Sequence, residues 1–153
     1  VSRFFEVAKE WMYHDINLPK RQTTHSAGYD FEAAEDVSIV PIWRSVINHM
    51  TIKPQKVHTG ITVSMGDNES LLVFNRSSNP IKRLLMLANG TGVIDADYKG
   101  EITFDFWNFS LKPVHIEKGE RIGQGIFIKF LLSDNDIKPT KERTGGNGST
   151  DTK

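Results

Sequence analysis

Residues 92–101, GVIDADYKGE, set two carboxylates two positions apart, with a phenol and two glycines, where one strand gives way to the next. In an extended chain Asp95 and Asp97 share a face, and the neighbouring Val93 and Ile94 read as buried strand residues. A carboxylate tethered to apolar chain needs partners. The plainer alternative is a polar turn in which Asp and Gly supply only geometry. NRSSNPIKR (75–83) sets Arg76, Ser77 and Ser78 at the start of a short predicted helix, where backbone N–H groups and the positive dipole end suit an anion. KGERIGQG (118–125) carries Gln124 among small residues in a strand, open to close approach by a ligand. RTGGNGST (143–150) joins Arg143 to three glycines and the hydroxyls of Ser149 and Thr150, a composition that can wrap a polyphosphate or simply form a tail.

Strands must position these groups. EITFDFW (101–107) alternates Ile102, Phe104 and Phe106 against polar neighbours, and VHTGITV (57–63) alternates Val57, Thr59, Ile61 and Val63. LLVFN (71–75), LLMLA (84–88) and RIGQGIFIKF (121–130) add further short runs, separated by SMGDNES, ANGTG and EKGE. RFFEVAKEWM fits either period and is read as strand. Many short strands with polar turns indicate a sandwich or barrel. The one internal helix expected follows Arg76, with serine at the cap and proline in the first turn. One domain is expected over 1–132. The polar run 133–153 forms an arm or tail, because it cannot offset its ordering entropy by burial within its own chain.

With 19 basic and 19 acidic residues the chain has no broad basic field for nucleic acid or anionic lipid, so phosphate recognition has to be local. Having no cysteine, it has no disulfide framework and no thiol nucleophile. The charged N-terminal stretch reads as neither signal peptide nor membrane span, and a cytoplasmic location is expected. Phosphate loops of the GxxxxGK[ST] type, HExxH and GxSxG are absent, and the five histidines are scattered, which favours packing or surface roles over a metal cage.

In order, HSAGYDFEA (25–33), RSS (76–78), ANGTGVIDADYKGE (88–101), KGERIGQ (118–124) and RTGGNGST closely resemble the five motifs of the all-β, homotrimeric dUTP diphosphatases. The N-terminal region and the RSSNPIK wording are most similar to Gram-positive bacterial or phage members. The resemblance implies a distorted jelly-roll or β-barrel with one short helix and a C-terminal arm. It also implies hydrolysis of dUTP to dUMP and pyrophosphate, which limits uracil in DNA and supplies dUMP for dTMP synthesis. Mg2+ would be held mainly by the triphosphate and waters, and sites would be shared between subunits.

Carried over by position, Asp95 would deprotonate the attacking water. Asn89 would read the uracil edge in a slot formed with Gly92, Val93 and Ile94, and Tyr98 would lie against the deoxyribose and crowd a 2′-hydroxyl. Asp97 would fix the hairpin. Arg76, Ser77 and Ser78 would hold the α- and β-phosphates, with Gln124 donating from a neighbouring subunit. Asp30 would support water around Mg2+, or else merely form a turn after Gly28. Arg143, Gly148, Ser149 and Thr150 would close over the γ-phosphate. The family's last motif usually has an aromatic where this chain has Asn147, which implies losing roughly 1 to 3 kcal/mol of stacking on the base. Competing expectations are a dCTP deaminase of the same fold, a dUTP-sensing regulatory protein with weakened catalysis, and a plain β structural domain.

Overall fold

The computed structural model describes residues 2–48 and 51–139. Among these, ten strands form: β1 (Phe4–Val7), β2 (Tyr29–Glu32), β3 (Val37–Ile39), β4 (Gln55–Ser64), β5 (Glu69–Asn75), β6 (Leu85–Leu87), β7 (Thr91–Asp95), β8 (Ile102–Asn108), β9 (Val114–Ile116) and β10 (Arg121–Lys129). All pairings are antiparallel. One sheet runs β1-β4-β8-β6, a second β2-β10-β5-β7, and β3 pairs with β9 alone. From β4 to β8 successive strands alternate between the two large sheets, which gives the jelly-roll-like character, and the sheets stay open instead of closing into a barrel.

The period-two pattern explains the core. Ile102, Phe104 and Phe106 of β8 are fully buried, and Val57, Thr59, Ile61 and Val63 of β4 are buried opposite them. Gly123 of β10 belongs to this core: a Cβ there would stand 2.1 Å from Phe104 Cε1, and one at Gly125 would stand 2.9 Å from Phe31 Cε2. These glycines therefore make room for the protein's own rings. The expectation that they admit a ligand is corrected accordingly.

The N-terminal run is strand β1, followed by a 3-10 turn at Lys9–Trp11. An α-helix, α1 (Ile42–Ile47), was not foreseen. Pro41 at its cap starts it, but Trp43, Val46 and Ile47 face outward, so no core-facing stripe betrays it in the sequence. The helix expected after Arg76 is a five-residue π-turn, Asn79–Arg83, and Ser78 makes no side-chain cap bond. A single wide turn sums too few peptide dipoles for the anion site expected at its start.

Glu69 opens β5 with only 3% exposure, and Arg3 reaches it through Nε at 2.8 Å and through Nη2. The guanidinium's hydrogen bond, aided by the Gly66 N–H at 3.1 Å, holds the Glu69 carboxyl below its ordinary value of 4.5 against the opposing effect of burial. A carboxyl depressed on folding adds stability above its unfolded pKa and loses it as pH falls through the folded one. The thermal midpoint of wild type should therefore exceed that of Glu69→Gln most at neutral pH. The gap should shrink below about pH 4.5. Melts across pH 3 to 7 check this, and a gap independent of pH would rule the charge pair out as its source.

Candidate functional site

The hairpin β6–β7 parts as it leaves its turn, because β6 joins β8 in one sheet and β7 joins β5 in the other. Its turn is tight: Gly90 N donates to Leu87 O at 3.0 Å and Thr91 N to Asn89 O at 2.7 Å, with Gly90 at φ +67, a region glycine enters without strain. Between the parted strands lies a cavity of about 140 Å³, lined by Asn89, Gly92, Val93, Ile94, Tyr98 and Glu101 among others. That volume is well below the ~300 Å³ at which small-molecule pockets begin, so it suits one flat ring better than a whole nucleotide.

Gly92 is what lets β7 lie so close to β5. A Cβ on it would stand 2.5 Å from Val73 Cγ2 and 3.3 Å from Asn89 Nδ2. Val93, expected to be buried, is 61% exposed, because strand alternation turns it away from the core while Gly92 turns in. Ile94 packs against the core as expected.

Tyr98 is nearly buried. Its ring covers Gly100, where a Cβ would stand 2.7 Å from Oη, and its hydroxyl donates to Glu101 O at 2.8 Å. Asp95 ends β7 and is exposed, opposite Ser70 in the ladder, and its carbonyl accepts from Tyr98 N at 3.1 Å. Asp97 lies in the turn beyond, so it does not share a strand face with Asp95 as expected.

A second cluster sits at the other end of β5. In β10 the register slips between Arg121 and Gly123, so both Ile122 and Gly123 point inward. Arg121 then emerges on the face that Gln124 and Asp30 occupy, as bulges commonly re-aim a side chain. Arg121 Nη1 pairs with Asp30 Oδ2 at 3.1 Å, and Arg76 Nη1 donates to Arg121 O at 3.4 Å. Gln124 pairs with Asp30 in the ladder, and its amide lies over Gly28, whose missing Cβ would meet Oε1 at 2.4 Å.

Ser77 and Ser78 follow Arg76 in a turn bracketed by two asparagines. Asn79 Nδ2 donates to Asn75 Oδ1 and to Ile122 O, each at 2.9 Å, and Asn75 Nδ2 donates to Leu85 O at 2.9 Å. Asp95 does not join this cluster. Its rung at Ser70 is five residues along β5 from the Asn75 rung, about 17 Å. Arg143, Asn147, Gly148, Ser149 and Thr150 lie outside the described residues.

Among the described residues no group of three His, Cys, Asp or Glu is placed to hold a metal. With Asp30 committed to Arg121, the donor set does not build an all-protein Mg2+ cage. No helix of the described residues is long and apolar enough to cross a membrane.

Sequence reading missed Arg121, Asn79 and Glu101. Arg121 carried a signal, since a cation stands three residues before Gln124, but only the bulge brings both to one face. Glu101 carried none, because its partners His58, Thr59 and Gly60 lie 41 to 43 residues earlier.

Two open antiparallel sheets, with a ring-sized cavity in a parted hairpin and an arginine-bearing cluster on one of them, define an all-β protein with a jelly-roll-like core. The dUTPase family model matches residues 14–151, a span that contains all the motif residues from Gly28 to Thr150. The deoxyuridine 5′-triphosphate nucleotidohydrolase of Lactococcus lactis subsp. lactis is 45% identical, over 97% of each chain. That of Rickettsia prowazekii is 37% identical, over 88% of each chain. Among solved structures, the dUTPase of Streptococcus mutans superposes with a TM-score of 0.72 at 38% identity, covering 86% of this chain and 98% of that one. The chain belongs to the dUTPase family, and its likeness to Gram-positive members holds.

Proposed function

We infer that the protein is a dUTP diphosphatase that cleaves dUTP to dUMP and pyrophosphate. The observation that carries this reading is the cavity inside the parted hairpin, sized for one pyrimidine ring and lined by Asn89 and Tyr98, with Asp95 next along β7 from the lining Ile94. Asn89 reads the uracil edge. Gly92, Val93 and Ile94 supply the slot, which is too narrow for a thymine methyl, and Tyr98 packs against the deoxyribose. Asp95, next along β7 from Ile94, orients a water for in-line attack on the α-phosphorus and takes its proton. Arg76, Ser77, Ser78 and Gln124 hold the phosphates. Their pre-set donors stabilise charge as the P–O bond to the leaving pyrophosphate breaks.

Asp95 and Arg76 stand too far apart in one chain to serve the same triphosphate, with about 17 Å along β5 between the Asp95 rung and that of Asn75, which precedes Arg76. That separation supports a closed oligomer, here a trimer, in which Asp95 of one protomer faces Arg76 and Gln124 of its neighbour. Mg2+ would be held mainly by the triphosphate and waters and would supply charge neutralisation there, with Asp30, held by Arg121, placed to order water nearby. Arg143, Gly148, Ser149 and Thr150 close over the γ-phosphate, and Asn147 leaves the base without an aromatic cap. A cytoplasmic setting, where nucleotide pools lie, suits the reaction.

Pyrophosphate release from dUTP, dTTP, dCTP and UTP in the presence of Mg2+ tests the reading. Only dUTP should be turned over efficiently. Ammonia from dCTP would favour a deaminase, and tight dUTP binding without pyrophosphate would favour a sensor.

A further inference from the structure

Strands β4 and β8 lose register between His58 and Ile61, with Gly60 at φ +69. Such a bulge takes backbone N–H groups out of the ladder, and buried donors need new acceptors. Here Glu101 Oε1 takes both: Thr59 N donates at 3.1 Å and Gly60 N at 2.8 Å, while Oε2 meets His58 Nδ1 at 2.8 Å. The Glu101 side chain is only 10% exposed. Behind the bulge, the Trp11 ring lies 5.7 Å from that of His58, and Trp11 and Ile16 crowd the space beside Gly60. The bulge is therefore a rigid anchor, and the main chain at residue 101 is tied to it. Tyr98 depends on the same residue through its hydroxyl, which donates to Glu101 O at 2.8 Å.

We propose that the Glu101 carboxylate is a positioning residue for sugar discrimination. By locking residue 101 to the β4 bulge it fixes the carbonyl to which Tyr98 is bonded, and so sets the room left beside the 2′ carbon. The proposal rests on Tyr98 being the ribose check. Glu101 acts on the sugar through Tyr98. With the lock gone, the turn 96–101 relaxes, the ring swings outward, and a 2′-hydroxyl fits.

The test is kcat/KM for dUTP and UTP with Mg2+, alongside thermal midpoints, for wild type, Tyr98→Ala, Tyr98→Phe, Glu101→Ala and Glu101→Gln. Tyr98→Ala should lower the dUTP to UTP ratio, and Glu101→Ala should lower it roughly tenfold or more, chiefly through a lower KM for UTP. Glu101→Gln should stay within about threefold of wild type, because its amide oxygen still accepts both N–H groups and its NH2 can face the other His58 tautomer. Tyr98→Phe, which deletes only the hydroxyl tie, should lower the ratio without emptying the cavity. If Glu101→Ala does not fold, Tyr98→Phe decides. A ratio unchanged in Tyr98→Ala overturns the ribose reading of Tyr98, and the proposal with it. A ratio lowered in Tyr98→Ala but unchanged in Glu101→Ala, or, where that variant does not fold, unchanged in Tyr98→Phe, overturns the proposal alone, whatever the thermal midpoints.

Discussion

Asp95→Asn should abolish most pyrophosphate release from dUTP while leaving the protein folded and able to bind. The substitution keeps the size of the side chain and removes its proton-accepting charge. A positioned general base contributes about 10²- to 10⁴-fold, so kcat should fall by that order. KM should change little, because the carboxylate grips water and not the nucleotide. Asp95 is exposed at the end of β7, outside the core, so the variant should still fold. Stopped-flow or coupled detection of pyrophosphate gives kcat, and calorimetry with a non-cleavable dUTP analogue gives binding. Undiminished turnover in Asp95→Asn would remove the residue from its role. Lost binding would instead assign it to substrate recognition.

Two inactive variants should restore each other. Arg76→Ala removes a phosphate donor, and the loss of one pre-set donor at such a centre costs about a hundredfold in rate or more. If Asp95 of one protomer works with Arg76 of the next, an Asp95→Asn chain beside an Arg76→Ala chain forms some intact sites. In a mixed trimer, whichever chain is in the majority, one of the three junctions joins an intact Asp95 to an intact Arg76, so about a third of wild-type activity should return. Co-expression with two different tags, followed by sequential purification of the mixed oligomer, measures the recovery. If each protomer carried a complete site, mixing would yield only the residual activity of the parents. The strand ladder argues for recovery, since the Asp95 and Arg76 ends of β5 face opposite ends of the sheet.

How far the sequence could be read follows from the range of the forces involved. The strands Ile102–Asn108 and Gln55–Ser64 were visible because alternation is a property of neighbouring residues, and the core only had to accept the side each strand offered. The π-turn after Arg76 and helix α1 were misjudged or missed for a related reason. Short elements take their shape from what they pack on, and α1 has no core-facing stripe to announce it. Val93 shows the same limit at one residue, since an apolar side chain beside a glycine gives no sign of which one the sheet will turn inward.

The chain alone carried the order of its chemical motifs, the family they belong to and the inward face of each long strand, all of which are encoded over a few consecutive residues. Where those motifs end up relative to one another came from pairing across long stretches of chain. The bulge that brings Arg121 round to Asp30, the clasp of Glu101 on Thr59 across 42 positions, and the gap between Asp95 and Arg76 all depend on which strands share a sheet and in what register. Register is chosen by the packing of the whole core, so no local pattern of residues can announce it.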